Sequence, residues 1–269
     1  MTEDLQKTGL PAHRIIAIAN QKGGVGKTTT AINLATALSA VRKKVLIIDL
    51  DPQGNASTGF GIEREQRDIN AYHVMIGEVP VADAIQKSPI PNLWVVPSGM
   101  DLSAAEVELV DVERREYCLQ DALQSIPDTF DYVLIDCPPA LGLLTINALV
   151  AAQSVLVPLQ CEFFALEGVS YLINTVERVK RSFNPALEIQ GIVLTMFDRR
   201  NNLSDAVASD VRAHFGDKVY DTVIPRNVRV SEAPSHGKPV LLYDFRCAGS
   251  QAYIALASEI LKRERRLAA

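Results

Sequence analysis

Short apolar runs alternate with amphipathic segments along almost the whole chain. The runs are rich in valine, isoleucine and leucine, and most are continuous rather than alternating with polar residues. Continuous apolar strands are typical of sheets that are covered on both faces. We predict strands at residues 14–20, 44–49, 93–97, 131–136, 154–158, 188–195 and 221–224.

The segments between these runs carry apolar residues at helical spacing. In one of them, Val169, Leu172 and Val176 recur every three or four positions. Strands that alternate with helices predict parallel βαβ units with right-handed crossovers. We therefore expect an α/β fold, a mostly parallel twisted sheet flanked by helices on both faces. Helices are predicted at residues 27–40, 103–123, 166–183, 204–215 and 250–266.

One domain explains the chain better than two. Its 269 residues fit a single large α/β domain, and no repeat, low-complexity linker or change of composition divides them. We predict a flexible lead-in at residues 1–13 and one domain over residues 14–269. The lead-in starts with acidic residues and has no apolar run, so it does not resemble a signal peptide.

Composition argues against several classes of protein. A net charge of −5 does not indicate a nucleic-acid binder, so any DNA contact would need a local basic patch. No run approaches the roughly 18 continuous apolar residues of a membrane span, and no membrane association is expected. The four cysteines form no CxxC pair, which disfavours a zinc site and favours reduced thiols. We expect a cytoplasmic protein.

A glycine-rich segment joins the first predicted strand to the first predicted helix. Residues 21–30 read QKGGVGKTTT, which fits G-x-x-x-x-G-K-[ST] except that Asn20 or Gln21 takes the first glycine position. Glycines let backbone N–H groups turn onto phosphate oxygens, and the helix start adds partial positive charge. A glycine turn with solvated lysines is the alternative. We predict MgATP binding through Lys22, Gly23, Gly24, Val25, Gly26, Lys27, Thr28 and Thr29.

The pattern suggests a role for each polar residue of this loop. Lys27 is expected to reach the β- and γ-phosphates, the Thr28 hydroxyl to ligate Mg²⁺, and Thr29 to bond the α-phosphate. Lys22 resembles the signature lysine of deviant Walker A ATPases, which implies a contact with the nucleotide of a dimer partner. Such a cation would stabilise the transferring phosphoryl group, as an arginine finger does. A contact with the nucleotide of its own chain is the alternative.

Three aspartates follow predicted strands at the end where open α/β sheets bind ligands. Asp51 is predicted to position or activate the attacking water, and Asp49 to tune the Mg²⁺ shell. Asp136 ends the apolar run YVLID and matches the Walker B position, which holds Mg²⁺ directly or through water. The alternative for each is a strand-ending turn without a functional role.

Four segments together resemble the ParA/Soj family of chromosome and plasmid partition ATPases. They read KGGVGKTTTAINLA, LIIDLDPQGNAS, VLIDCPP and IPRNVRVSEAPSHGKPV, and the resemblance extends over residues 15–257. It implies that residues 14–269 are a deviant Walker A ATPase domain of the P-loop NTPase type, with ATP and Mg²⁺ as cofactors. Residues 161–168 (CEFFALEG) and 194–204 (LTMFDRRNNLS) resemble the chromosomal branch of the family, and the short lead-in agrees with this.

The resemblance also implies a working cycle. MgATP would drive a sandwich dimer that binds double-stranded DNA nonspecifically, and hydrolysis stimulated by a ParB-type centromere-binding partner would reset it on the nucleoid. By residue match, Lys22, Lys27 and Asp51 are the catalytic residues. Pro225 and Asn227, within IPRN, match the adenine contacts.

Basic residues in two late loops are the predicted DNA-binding surface, namely Arg200, Arg226 and Arg229. Arg200 and Arg229 are similar in position to the DNA-binding arginines of the family. Nonspecific affinity needs only several cations aimed at phosphates, and dimerisation would double their number. The alternative is that these arginines are solvated or pair with neighbouring acids, namely Asp198, Asp205 and Glu232.

Other functions share much of this chemistry. A MinD-like ATPase that cycles on a membrane would need a C-terminal amphipathic helix with bulky apolar residues facing lipid. An ATPase that positions a cargo other than the chromosome would use the same residues. A relative of the nitrogenase iron protein would need a second cysteine placed to match Cys137.

Overall fold

The described part of the chain, residues 13–126 and 129–267 of a computed structural model, contains eight β-strands. Residues 1–12 of the predicted lead-in lie outside the described residues. The strands are β1 Arg14–Ile18, β2 Val45–Asp49, β3 Gln86–Lys87, β4 Leu93–Val96, β5 Tyr132–Asp136, β6 Ser154–Gln160, β7 Glu188–Phe197 and β8 Val219–Pro225.

All of these strands belong to one sheet, in the order β3-β4-β2-β5-β1-β6-β7-β8. Every neighbouring pair is parallel except β3 and β4, which are antiparallel. Strands β2 to β5 lie on one side of β1 in the sheet, and the later strands β6, β7 and β8 lie on its other side. This reversal beside β1 is the point at which open α/β sheets bind ligands.

Helices connect the strands and cover the sheet. They are α1 Lys27–Ala40, α2 Asn55–Gly59, α3 Ala71–Met75, α4 Val81–Ala84, α5 Leu102–Glu108, α6 Cys118–Leu123, α7 Leu143–Ala151, α8 Ala165–Ser182, α9 Asn202–Phe215, α10 Val228–Glu232, α11 Val240–Tyr243 and α12 Ala248–Leu267. Among the described residues, no helix is both long and apolar enough to cross a membrane.

Apolar side chains cover both faces of the sheet. Ile15 and Ala17 of β1 enter one core, and Ile16 and Ile18 enter the other, because successive side chains of a strand point to opposite faces. Every residue of β2 and β5 is buried. Helices α1 and α12 supply the second core, whereas α7, α8 and α9 supply the first. The predicted mostly parallel sheet with helices on both faces is confirmed.

The predicted helix at residues 103–123 is wrong. Helix α5 ends at Glu108, α6 begins at Cys118, and between them Arg114 adopts a left-handed conformation with φ 58°. Val107, Val110 and Val112 are exposed, so this apolar pattern does not mark one buried face. Left-handed backbone ends a helix, and β-branched residues weaken one.

The other predicted strands and helices are present, with ends shifted by at most two residues. Helix α7 was not predicted. Its sequence LLTINALVA is mostly buried, so the 3.6-residue periodicity that marks a half-exposed helix is missing.

Candidate active site

The loop between β1 and α1 requires glycine for its backbone conformation. Gly24 and Gly26 have φ of 74° and 90°, which is left-handed backbone. A Cβ at Gly24 would meet nothing within 4 Å, so conformation rather than crowding is the constraint. Gly26 is the N-cap of α1, and no described side chain caps the first N–H groups of this helix. These donors suit an anion.

Neighbouring strands hold the loop from both sides. The Thr195 hydroxyl at the end of β7 donates to the Val25 carbonyl at 2.8 Å. Asn20 Nδ2 donates to the Pro158 carbonyl of β6 at 2.8 Å, and its Oδ1 accepts the Lys22 N–H at 3.0 Å. Sequence reasoning did not predict a role for Asn20 or Thr195. Their only sequence signal is a polar residue beside an apolar run.

Lys27 lies buried at the start of α1, and its ammonium group points towards the loop that precedes the helix. Its Nζ donates to the Lys22 carbonyl at 3.1 Å. Burial lowers the pKa of Lys27, while the Asp136 carboxylate opposes this change by favouring the charged form. The site thus combines a desolvated cation with a nearby acid.

Asp136 is fully buried at the end of β5. Within the described chain, no hydrogen bond of normal geometry reaches either of its carboxylate oxygens. Burial raises its pKa well above the ordinary value and Asp49 raises it further, while the Thr28 hydroxyl and Lys27 lower it. A buried carboxylate without a well-formed hydrogen bond is costly, so this position fits a cation. Hydroxyl and carboxylate oxygens are the ligands that Mg²⁺ prefers.

The loop, the end of β2 and the end of β7 enclose a cleft of about 310 Å³. Sequence reasoning predicted seven of its residues but not Gln53, Asn55, Pro139 or Met196. Met196 has φ 50° at an irregularity of β7, which no local sequence signal marks. The cleft is lined by Gly23, Gly24, Gly26, Lys27, Thr28, Thr29, Asp51, Gln53, Asn55, Pro139 and Met196.

Comparison with known proteins gives the family. A family model described as an AAA domain matches residues 13–189. The chromosome partitioning protein ParA of Caulobacter vibrioides is 65% identical over 254 residues, which cover 94% of this chain and 95% of that protein. The sporulation initiation inhibitor protein Soj of Bacillus subtilis is 52% identical over 247 residues, or 92% of this chain and 98% of that protein. The chain belongs to the ParA/Soj family of chromosome partitioning proteins.

A solved structure has the same fold. Cobyrinic acid a,c-diamide synthase from Mycobacterium smegmatis, with bound ATP analogue and magnesium, is 35% identical and has a TM-score of 0.83. The match covers 94% of this chain and 96% of that chain. A shared fold does not establish a function, so function has to be argued from the site.

Two carboxylates of this ParA/Soj chain shape the loop after β2. Asp49 is fully buried, and its Oδ2 accepts the Ser57 N–H at 2.8 Å and the Ser57 hydroxyl at 2.7 Å. Its Oδ1 accepts the Asp51 N–H at 3.2 Å. Burial raises the pKa of Asp49 to about 6 against the opposing effect of the Ser57 bonds. Asp49 thus joins β2 to α2, and its role in a Mg²⁺ shell stays a prediction.

Asp51 forms a tight turn at the wall of the cleft. Its Oδ1 accepts the Gln53 N–H at 3.0 Å, and its carbonyl accepts the Gly54 N–H at 2.8 Å. The side chain is mostly buried. The turn therefore holds a carboxylate at the wall of the cleft that the start of α1 also lines. The role of Asp51 in positioning water stays a prediction.

Lys22 makes a contact that sequence reasoning missed. Its ammonium group pairs with the Glu162 carboxylate, which follows β6 in the same chain. The two side chains are 45% and 42% exposed. Neither Lys22 nor Val25 lines the cleft. The contact of Lys22 with a partner's nucleotide stays a prediction, and it would require the ion pair with Glu162 to break.

The predicted adenine contacts do not line the cleft. Pro225 ends β8, and Asn227 caps α10 by accepting the Arg229 N–H at 2.9 Å. Within the described chain, the structure does not bring either residue to the lining of the phosphate-loop cleft. Their contact with the base stays a prediction.

The predicted DNA-binding arginines lie on the surface, and two of them have acidic partners. Arg200 Nε and Nη2 each lie 3.0 Å from an Asp198 carboxylate oxygen, and this pairing lowers the pKa of Asp198 to about 2. Arg229 pairs with Glu232 at 3.0 Å and Asp244 at 3.6 Å. The pairing alternative is therefore observed for Arg200 and Arg229. Exposed ion pairs are weak, so DNA phosphates could replace the acids.

Proposed function

We propose that this chain is a DNA-segregation ATPase that hydrolyses ATP to ADP and phosphate. The observation that carries the proposal is the cleft in which the start of α1, Lys27 and Asp51 meet. Asp136 interacts electrostatically with Lys27, and its carboxylate has no hydrogen bond of normal geometry within the described residues. The cleft thus brings together three kinds of group: hydrogen-bond donors for phosphate, oxygen ligands for a cation, and a carboxylate that can hold a water molecule. Phosphoryl transfer depends mainly on such positioning and on electrostatic stabilisation.

The residues have distinct roles in this reaction. The N–H groups at the start of α1 and the ammonium group of Lys27 hold the phosphates. Thr28 and Asp136 fit a Mg²⁺ ion, which supplies charge neutralisation at the phosphate oxygens. Asp51, which lines the same cleft, positions the attacking water.

Dimerisation adds Lys22. In the proposed MgATP-bound sandwich dimer, Lys22 leaves Glu162 and reaches the nucleotide of the partner. Lys22 and Glu162 both lie at the surface, which supports such an exchange. The dimer binds double-stranded DNA nonspecifically through Arg200, Arg226 and Arg229, and hydrolysis stimulated by a ParB-type partner returns the chain to the monomer. We place this cycle on the nucleoid in the cytoplasm.

The alternatives receive less support. Helix α12 packs on α1 and β8 with Tyr253, Leu256 and Ile260 buried, so its apolar face already has a partner and does not suit a membrane anchor. Cys137 is fully buried, so it does not lie at a surface where an iron–sulfur cluster bridging two chains would sit. Relatives named as chromosome partitioning proteins support the chromosome as cargo.

The test is the binding and turnover of ATP by Lys27→Ala. Losing a charged hydrogen bond of about 1.5–3 kcal/mol should weaken ATP binding roughly 10- to 150-fold. The matched control is Lys44→Ala, which removes an exposed lysine just before β2, at the end of the strand that is distant from Asp49 and Asp51. Equilibrium titration with a fluorescent ATP analogue and phosphate release measure the two quantities. Retained affinity in Lys27→Ala would contradict the proposed phosphate site.

A further inference from the structure

Arg67 is a buried arginine whose hydrogen bonds all go to uncharged groups. It is 7% exposed, and its guanidinium donates five hydrogen bonds. Nε and Nη2 reach the Ile62 carbonyl at 3.1 and 2.6 Å. Nη1 reaches the Gly54 and Ser98 carbonyls at 3.2 and 3.1 Å, and Nη2 reaches the Thr58 hydroxyl at 2.8 Å. Within the described residues, no carboxylate pairs with it.

Burying an arginine costs more free energy than filling the same volume with an apolar side chain. Burial lowers the pKa of Arg67, and the field of Asp49 only opposes this change. A buried charge without an ionic partner loses its hydration, which costs free energy unless hydrogen bonds offset the loss. The planar fork of arginine, in contrast, fixes several acceptors in one geometry. The hydrogen bonds of Arg67 therefore indicate a demand for geometry rather than for core volume.

The geometry that Arg67 fixes includes the turn that holds Asp51. Gly54 closes that turn through its N–H bond to the Asp51 carbonyl at 2.8 Å. The Gly54 carbonyl then accepts bonds from Arg67 and from the Thr58 hydroxyl, the latter at 3.0 Å. A Cβ at Gly54, which has φ 65°, would lie 2.3 Å from Arg67 Nη1 and 2.9 Å from the Ser98 carbonyl oxygen. The turn is thus built closely around the guanidinium.

We propose that Arg67 is a positioning residue for hydrolysis, because its guanidinium locks the turn from Asp51 to Gly54 against the Ile62 and Ser98 carbonyls. Arg67 does not line the phosphate cleft, so it acts through Asp51 and not on the nucleotide. This inference rests on the proposed ATPase function. It predicts that Arg67 controls the turnover of bound ATP and not the binding of ATP.

The first test compares Arg67→Met with the wild type. A misplacement of about 1 Å at a reacting group costs on the order of 100-fold in rate, so kcat should fall roughly 10- to 100-fold. The ATP dissociation constant should stay within about twofold, because the phosphate contacts are untouched. Arg67→Lys keeps the charge but loses the fork, and should restore only part of kcat. Arg64→Met removes an exposed arginine of the same segment and should behave as wild type.

A double-mutant cycle separates positioning from general damage. If Arg67 acts through Asp51, then Arg67→Met should change the residual kcat of Asp51→Ala by less than about twofold. Equal losses of kcat in both backgrounds would overturn the proposal, and so would an unchanged kcat in Arg67→Met alone. If circular dichroism shows that Arg67→Met does not fold, Thr58→Val takes its place in the test. This variant removes one hydrogen-bond acceptor of Arg67 and one donor to the Gly54 carbonyl. An unchanged kcat in that variant would then overturn the proposal.

The outcome for Arg67 is distinguishable from the outcome for the ATPase function. Wild-type turnover that Lys27→Ala abolishes supports the function without reference to Arg67. Under that result, a normal kcat in Arg67→Met refutes the positioning role alone. Absence of turnover in the wild type, with and without DNA, would instead refute the proposed function, and the positioning role with it.

Discussion

The ion pair between Lys22 and Glu162 should hold back dimerisation. If Lys22 has to leave Glu162 before it can reach a partner's nucleotide, the pair stabilises the monomer. Glu162→Gln removes the charge of the acceptor and keeps its size. We therefore expect Glu162→Gln to dimerise at lower concentration in the presence of ATP.

The structure bounds the size of this effect. The side chains of Lys22 and Glu162 are 45% and 42% exposed, so solvent screens the pair. Exposed ion pairs contribute about 0.2–1 kcal/mol, which is roughly a 1.4- to 5-fold change for each lysine released. Because a symmetric dimer releases two lysines, its dissociation constant should fall roughly 2- to 30-fold.

Sedimentation velocity in a slowly hydrolysed ATP analogue measures this dissociation constant without turnover. The matched control is Glu167→Gln, which removes the same charge from an exposed position of α8. Raising the salt concentration should shrink the difference between wild type and Glu162→Gln, because exposed pairs are screened over about 10 Å at 0.1 M. An unchanged or weaker dimer in Glu162→Gln would refute the reasoning, since Glu162 would then not compete for Lys22.

Three further outcomes follow from the site. Asp51→Ala should bind ATP, lose turnover and accumulate as a dimer in light scattering, and a monomer at saturating ATP would contradict its role. Burial raises the pKa of Asp49 from 3.8 to about 6, so the folded state binds this proton more tightly than the unfolded state. The free energy of unfolding of the wild type, measured by urea titration without metal, should therefore fall by up to about 3 kcal/mol relative to Asp49→Asn between pH 4 and 6, and should fall no further above pH 6. A difference between the two proteins that does not change with pH would be inconsistent with this pKa. Arg226→Glu should keep ATP-dependent dimerisation but lose DNA retention, and unchanged gel shifts would remove Arg226 from the DNA surface.

The sequence by itself determined the main elements and the phosphate loop. The apolar runs predicted the seven longer strands, because a strand buried on both faces has to be apolar throughout. Helix α1 occupies residues 27–40 as predicted, since the glycines that end the loop also mark where the helix begins. Lys27, Thr28 and Asp51 line one cleft, because Lys27 and Thr28 are adjacent and the ends of parallel strands lie at one edge of the sheet.

Only the tertiary structure decided which polar groups meet. Lys22 and Glu162 are 140 positions apart, and Thr195 is 170 positions from the Val25 carbonyl that it bonds. These contacts depend on β6 and β7 lying beside β1, and periodicity along the chain carries no information about strand order. The same holds for Arg67, whose charge in the sequence suggests an exposed residue and whose acceptors lie at residues 54–62 and at Ser98. Burial of a charge is decided by the shape of the folded chain, so its consequences cannot be derived from residue type alone.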